Sequence, residues 1–294
     1  MNVKKHVYNY LNRIVSEGID ETGTPDTKYY AFDWDDNIVY MPTQIIVLTE
    51  NDDEIGMSTE DFAEHRHKIG VEPFYYKGTT VVGFAKDSFK FFKEMGDKRF
   101  VIDSMLAKPG PSWNDFVECI NGGSIFAIIT ARGHNPSALR EGVYNFIVSN
   151  HNGINSKLLV ENLKKYRNFF SEDEMVTEQI DVNFSDKELI DEYLDLCVYE
   201  PVTFGQGSAA NPEKLKIIAM RKFISYCQGL ADEIGKKAYF KNGVANNEII
   251  LQIGFSDDDE GNVKSIDNLV SQEYPDVPIS VYLTKGDEKV KYNK

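Results

Sequence analysis

The chain reads as an α/β protein with three layers around a mostly parallel sheet, and three observations predict it. The aromatic-rich run Tyr29-Tyr30-Ala31-Phe32 has the composition of a buried strand and gives way abruptly to Asp33, Asp35 and Asp36. Residues 124–130 and 248–255 are continuous apolar runs of strand length, a pattern that belongs to parallel strands covered on both faces. Helix-like segments alternate with these strands, as in a sheet assembled from crossover units.

Taken in order, the first 28 residues read as a helix and a loop. Val3, Val7, Tyr10, Leu11 and Ile14 fall on one helical face, and the stretch from Gly18 to Thr27 carries the turn residues Gly23-Thr24-Pro25-Asp26. Beyond the acidic strand end, 43–49 and 54–57 flank the polar residues 50–53 and predict a hairpin turning near Asn51-Asp52. Ser58 or Thr59 then caps a helix through Phe62 and His65. Residues 84–95 predict a second helix. Trp113 to Ile120 predicts a third, opened by Pro111-Ser112 and broken by Gly122-Gly123.

Strand 124–130 leads into a helix from Pro136 to Val148. The polar stretch 157–195 reads as an insertion or peripheral module, followed by a short strand at 196–199. Asn211-Pro212-Glu213 opens a long helix to about Ile234, with Asn211 as its cap and Pro212 in its first turn. Strand 248–255, a helix from Ile266 to Glu273 and a strand at 278–283 complete the order.

Composition narrows the possibilities. With 294 residues, 41% hydrophobic and 12% aromatic, the chain has ample apolar material for a core plus an inserted module. A formal charge of −15 argues against nucleic acid and anionic membranes, which are bound through basic patches. Cys119, Cys197 and Cys227 are widely spaced and form no CxxC pair, which fits reduced thiols in a cytoplasmic protein and gives no zinc motif. Lys4, Lys5, His6 and Arg13 interrupt the opening segment, so it reads neither as a signal peptide nor as a membrane span.

The chemistry-bearing residues sit at strand and helix ends. Asp33 and Asp35 are two apart, so on an extended chain they share a face. Carboxylates there are costly to desolvate unless a cation or a reacting group needs them. Strand 124–130 ends in Thr130, the long helix opens with Lys214, and strand 248–255 runs into Asp257-Asp258-Asp259. In an open α/β sheet, ligands bind outside the carboxyl ends of the strands, where these groups would meet.

In this order the segments resemble the four motifs of the haloacid dehalogenase superfamily. Phe32-Asp33-Trp34-Asp35-Asp36-Asn37-Ile38-Val39 is similar to the first motif, with Asn37 where Thr is usual, and Ile128-Ile129-Thr130-Ala131-Arg132-Gly133 to the second. Asn211-Pro212-Glu213-Lys214 resembles the third, with Lys216 as a rival for its lysine, and Gly254-Phe255-Ser256-Asp257-Asp258 the fourth. The resemblance implies a Rossmann-like core over 29–40 and 121–294, with a possible insertion at 155–200. Residues 41–120 would then form a flap, a small cap and additional helices.

It further implies a Mg²⁺-dependent phosphatase. Phosphate monoesters hydrolyse so slowly that about 20 kcal/mol of barrier lowering can be needed, and a covalent aspartyl-phosphate splits that barrier. Asp33 would be the nucleophile and Asp35 the general acid and base. Mg²⁺ would be held by Asp33, the backbone carbonyl of Asp35, and Asp257. Thr130, Ala131, Arg132 and Lys214 would bind the phosphoryl group, with Arg132 equally able to pair with an acid. Asp258 and Asn37 would orient these groups from behind.

The expected substrate is a small phosphorylated metabolite or nucleotide. A phosphatase for polynucleotide ends or phosphoproteins, and a non-catalytic binding protein of the same fold, are the alternatives. Trp34 reads as packing beneath the site, and His65 and His67 as surface residues. Phe74-Tyr75-Tyr76, Phe89, Phe91 and Phe92 read as packing, with a substrate-stacking surface as the second possibility.

Overall fold

The apolar runs stand side by side in one sheet. A computed structural model describes residues 17–19, 25–171, 185–206, 211–242 and 251–292. The sheet order is β10 (Val198–Pro201), β9 (Phe126–Thr130), β2 (Pro25–Phe32), β11 (Leu251–Asp257), β12 (Ile279–Lys285) and β13 (Glu288–Lys291). Neighbours run parallel except for the β12–β13 hairpin, and β1 (Glu17–Ile19) pairs antiparallel with the start of β2.

All five residues of β9 are buried. Successive side chains point to opposite faces, so the sheet is covered on both sides there. The long helix α7 (Pro212–Asn242) lies against β2, β9 and β11, and α8 (Glu260–Glu273) against β11 and β12. Phe32 meets Phe116 of α3 (Trp113–Gly122) edge to face at 5.5 Å, and α4 (Pro136–Val148) packs on β10. The architecture is mixed α/β with a mostly parallel sheet, compatible with a Rossmann-like fold.

Register positions the acidic residues. Phe32 stands opposite both Ser256 and Ile128. The next residues on the two central strands, Asp33 and Asp257, therefore emerge at one level about 5 Å apart. The Asp33 amide donates to the Ser256 carbonyl at 2.9 Å, continuing the ladder by one rung.

A second, antiparallel sheet is inserted after β2, in the order β5 (Glu54–Met57), β4 (Ile45–Thr49), β7 (Thr79–Phe84) and β6 (Phe74–Tyr76). With α1 (Thr59–His65) it forms a cap around its own small core of Ile45, Val47, Met57, Ile69, Tyr76 and Val81. Below it, β3 (Val39–Tyr40) pairs with β8 (Lys108–Pro109). Helix α2 (Asp97–Leu106) returns to the main core, where it buries Phe100.

The hairpin over 43–57, its turn at Asp52 (φ 63°), the Ser58 cap and the helix at Pro136–Val148 follow the sequence reading. Gly123, at φ 77°, ends α3 in the left-handed conformation that glycine adopts at no steric cost. Other segments differ. The loop read over Gly18 to Thr27 carries β1 and the first residues of β2. No helix forms over 84–95: Phe84 still pairs with Val47, Asp87 turns left-handed at φ 59°, and only two single turns of 3₁₀ helix follow.

Helices α7 and α8 extend beyond their expected ends, and β3, β6, β7, β8, β13 and α2 have no counterpart in the sequence reading. The stretch read as peripheral contains α5 (Ser156–Ser171) and α6 (Asp186–Leu196), which bury Leu159, Leu163, Leu189 and Tyr193 in the main core. The helix read over the opening residues lies outside the described ones. Among the described residues, no helix is long and apolar enough to cross a membrane.

Gly110 fixes the loop behind Asp33. Its amide donates to the Ile38 carbonyl at 2.7 Å, and a Cβ added there would stand 2.5 Å from the Asn37 carbonyl oxygen. Gly110→Ala is therefore expected to lower stability by about 1–3 kcal/mol through overpacking, measured by urea denaturation.

Candidate functional site

At the carboxyl edge of the sheet, Lys216 joins the two central strands. Its ammonium donates to Asp33 Oδ1 at 2.9 Å and to Asp257 Oδ2 at 2.7 Å. The ammonium-bearing side chain is 2% exposed and the two carboxylates 7% and 0%. Burial opposes the lysine's charge, but Asp257 and Asp33 outweigh it and raise its pKa above the ordinary value.

Helix geometry explains why Lys216, and not the expected Lys214, takes this place. Two residues on a helix are about 200° apart, so only one can face the sheet. Lys216 falls on the stripe of Ala219, Met220, Phe223, Ile224 and Cys227, all buried. Lys214 is exposed, and its amide binds the Asn211 side chain that caps the helix.

Asp33, Asp257 and Asp258 bring carboxylate oxygens within 4.8 Å of one another. Desolvation pushes Asp33 up to about 7; Lys216 opposes the shift, and Asp257 and Asp35 add to it. Asp258 lies at the exposed rim yet is also raised, by desolvation first and then by Asp257 and Asp33. Once ionised, the three carboxylates facing one ammonium carry a surplus of negative charge on hard oxygen donors. Such a donor set suits a divalent cation such as Mg²⁺. Asp258, expected behind the site, belongs to this cluster.

Asp257 is held from behind by the Asp259 amide at 3.0 Å and the Asn262 side chain at 3.1 Å, both donating to its Oδ1. Asn37 is buried and braces the loop from Asp33. Its amide group donates to the Asp33 carbonyl at 3.0 Å and to the Ser256 carbonyl at 3.1 Å, and its oxygen accepts from Ser112 at 2.8 Å. Trp34 is fully buried and stacks on Phe146 at 5.9 Å, beneath the site.

Asp35 departs from expectation. Its side chain lies outside the carboxylate cluster, in the fork of Arg132: Nε donates to Oδ2 at 2.7 Å and Nη2 to Oδ1 at 2.6 Å. Of the two roles open to Arg132, the hydrogen bonds show the pairing with an acid. Arg132 also donates to Thr43 at 2.8 Å and to His134 Nε2 at 3.0 Å, and its guanidinium lies between the rings of Phe92 and Phe100. These contacts leave it little to offer a phosphoryl group.

His134 in turn donates from Nδ1 to Asp97 at 2.8 Å. Burial and then Arg132 lower its pKa, and Nε2, facing the Arg132 donor, accepts. Thr130 is buried at the end of β9, its hydroxyl oxygen accepting from the Arg132 amide at 3.4 Å, while Ala131 is exposed.

A scan of the chain against protein-family models finds no match, and searches of curated proteins and of solved structures find none either.

The two lysines are separable by stability. In the presence of EDTA, Lys216→Ala leaves buried carboxylates unpaired and is expected to cost about 3–5 kcal/mol. Lys214→Ala, on the exposed face, should stay within about 0.5 kcal/mol. Chemical denaturation of both variants checks the contrast.

Proposed function

We propose that the chain is a Mg²⁺-dependent phosphohydrolase of the haloacid dehalogenase type, cleaving a phosphate monoester through an aspartyl-phosphate. One observation carries the reading: residues from three of the resembling segments, Asp33, Lys216 and Asp257, meet in a single charged contact at the carboxyl edge of a parallel sheet. A salt-bridged core would need only one carboxylate for this lysine. The second carboxylate, and Asp258 beside it, are explained by a ligand that carries positive charge.

In this reading Asp33 attacks phosphorus, the bond to the leaving oxygen breaks, and a phosphoryl group is carried on the Asp33 carboxylate. Water then attacks the same phosphorus, releasing inorganic phosphate and restoring Asp33. Lys216 stays protonated throughout and offsets the charge that gathers on the phosphoryl oxygens. Asp33, Asp257 and Asp258 would hold a Mg²⁺, which would supply further neutralisation of negative charge when bound.

Asp35 gives a proton to the leaving oxygen and takes one from the attacking water. To do so its carboxyl must leave the Arg132 fork. Asp35 is the less buried member of that pair, 15% exposed against 1%, and is the one placed to move. The substrate class is a small phosphorylated metabolite or nucleotide, since the acidic chain disfavours polyanions at long range.

Turnover of p-nitrophenyl phosphate and a panel of phosphorylated metabolites tests the reading. Activity should require Mg²⁺, vanish in EDTA and be lost in Asp33→Asn. Activity that persists in Asp33→Asn removes the nucleophile from the scheme, and a wild-type protein that binds Mg²⁺ but turns over no ester favours a binding role.

The cation itself is testable without turnover. Mg²⁺ at a hundred times its dissociation constant should stabilise the fold by about 2.7 kcal/mol, read as a rise in melting temperature. Asp33 is raised to about 7 in the fold from an ordinary 3.8, so without a cation its ionisation costs stability as pH climbs through that interval. Cation binding needs the ionised form. Asp258, raised to about 9, must ionise as well, so the Mg²⁺-dependent rise should be fullest above pH 9 and shrink as pH falls through 9 and then 7.

A further inference from the structure

His134 is a fully buried imidazole to which the proposed reaction gives no task. Its neighbours fix both its tautomer and its tilt. Arg132 has only donors, so the His134 Nε2 that meets Nη1 at 3.0 Å must accept. The ring's proton therefore sits on Nδ1, facing Asp97 Oδ1 at 2.8 Å. Asp97 is itself anchored, accepting from the Asn135 amide at 3.3 Å. The Phe100 ring lies 4.7 Å from the imidazole, and a Cβ added to Gly96 would come within 3.2 Å of its Cε1. Gly96, Asp97 and Phe100 all stand at the start of α2, so one helix end sets the imidazole.

The hydrogen bonds of Arg132 divide into two sets. Nε and Nη2 point to Asp35, while Nη1 points to His134, and Nη2 also reaches Thr43. A carboxylate gripped on both oxygens has its inner lone pairs filled by N–H groups, where a transferable proton would sit. Asp35 can serve as an acid only when it parts from the guanidinium, and parting fails if the guanidinium follows it. The Arg132 side chain is 1% exposed, so it needs other partners at the moment Asp35 leaves. His134 and Thr43 remain to it, with the rings of Phe92 and Phe100 and, behind the imidazole, the carboxylate of Asp97.

We propose that His134, oriented by Asp97, is a positioning residue for proton delivery: it anchors the Arg132 guanidinium so that Asp35 can part from it and reach the leaving oxygen. The inference rests on the phosphohydrolase reading and goes beyond it, giving work to two residues outside the four resembling segments. The proton passes from the Asp35 carboxyl to the leaving oxygen as the bond from that oxygen to phosphorus breaks. His134 and Asp97 exchange no proton with the substrate.

Phenyl phosphate and p-nitrophenyl phosphate test this, because their leaving oxygens differ in need of a proton. p-Nitrophenolate departs readily without one, and phenolate does not. The ratio of kcat/KM for p-nitrophenyl phosphate over phenyl phosphate, taken on one preparation, is independent of how much of the protein is folded. His134→Leu and Asp97→Ala should each raise that ratio about ten-fold, because phenyl phosphate suffers the larger loss. Asp97→Asn still accepts from Nδ1 and should hold the ratio near the wild-type value. Asp97 is 28% exposed, so Asp97→Ala carries the test even where His134→Leu does not fold.

An unchanged ratio in Asp97→Ala, or in a folded His134→Leu, marks a structural role and overturns the inference while leaving the phosphohydrolase reading standing. A wild-type ratio already as large as that of Asp35→Asn does the same. A wild-type protein that turns over neither ester overturns both.

Discussion

A buried ammonium held between two buried carboxylates is the constraint on which the arrangement of this protein turns. Lys216 arrives on α7, Asp33 on the strand end of β2 and Asp257 on that of β11, so the contact requires all three elements to be in register. Charges of this kind are costly to remove from water and are tolerated only where geometry and surrounding hydrogen bonds compensate. Here the compensation is visible. Asn37 ties the carbonyls of Asp33 and Ser256 together, and Asn262 and the Asp259 amide hold Asp257 from the other side. The net negative charge that remains connects the packing of the sheet edge to the chemistry proposed for it.

A second charged contact governs how the cap sits on the core. Arg132 touches the segment leading into the cap at Thr43 and the segment leading out of it at Phe92, and it holds Asp35 between them. The Gly133 amide donates to the Phe92 carbonyl at 2.7 Å, adding a backbone tie at the same point. Any motion of the cap is therefore felt by the fork that holds Asp35. On the proposed phosphohydrolase reading, release of that carboxyl would be coupled to such a motion.

Much of this was legible in the sequence, for identifiable reasons. The strands carrying Asp33, Thr130 and Asp257 are apolar on both faces and end in polar residues, a signal strong enough to survive without tertiary information. Helix α4 carried its own punctuation in Asn135 and Pro136. Closeness to the helix start favours Lys214, whereas the phase of the helix favours Lys216. The apolar stripe of Ala219, Met220, Phe223, Ile224 and Cys227 leads back by one turn to Lys216.

The partners of Arg132 left no such trace. Thr43, Asp97 and His134 are brought to it from three segments by tertiary packing alone. The cap strands were likewise obscured, since 79–84 mixes threonine, glycine and phenylalanine without clean alternation and 84–95 mimics helical periodicity.

The pairing of Val39 with Pro109 and Tyr40 with Lys108 has a consequence for the history of such a chain. The two ends of the intervening segment run side by side in a two-stranded sheet of their own, and closing a long excursion between adjacent anchor points costs little more than closing a short one. A lineage could lengthen, shorten or exchange that excursion while the charged edge beneath it stayed as it was. On the proposed phosphohydrolase reading, new specificities would then arise by exchanging that excursion alone.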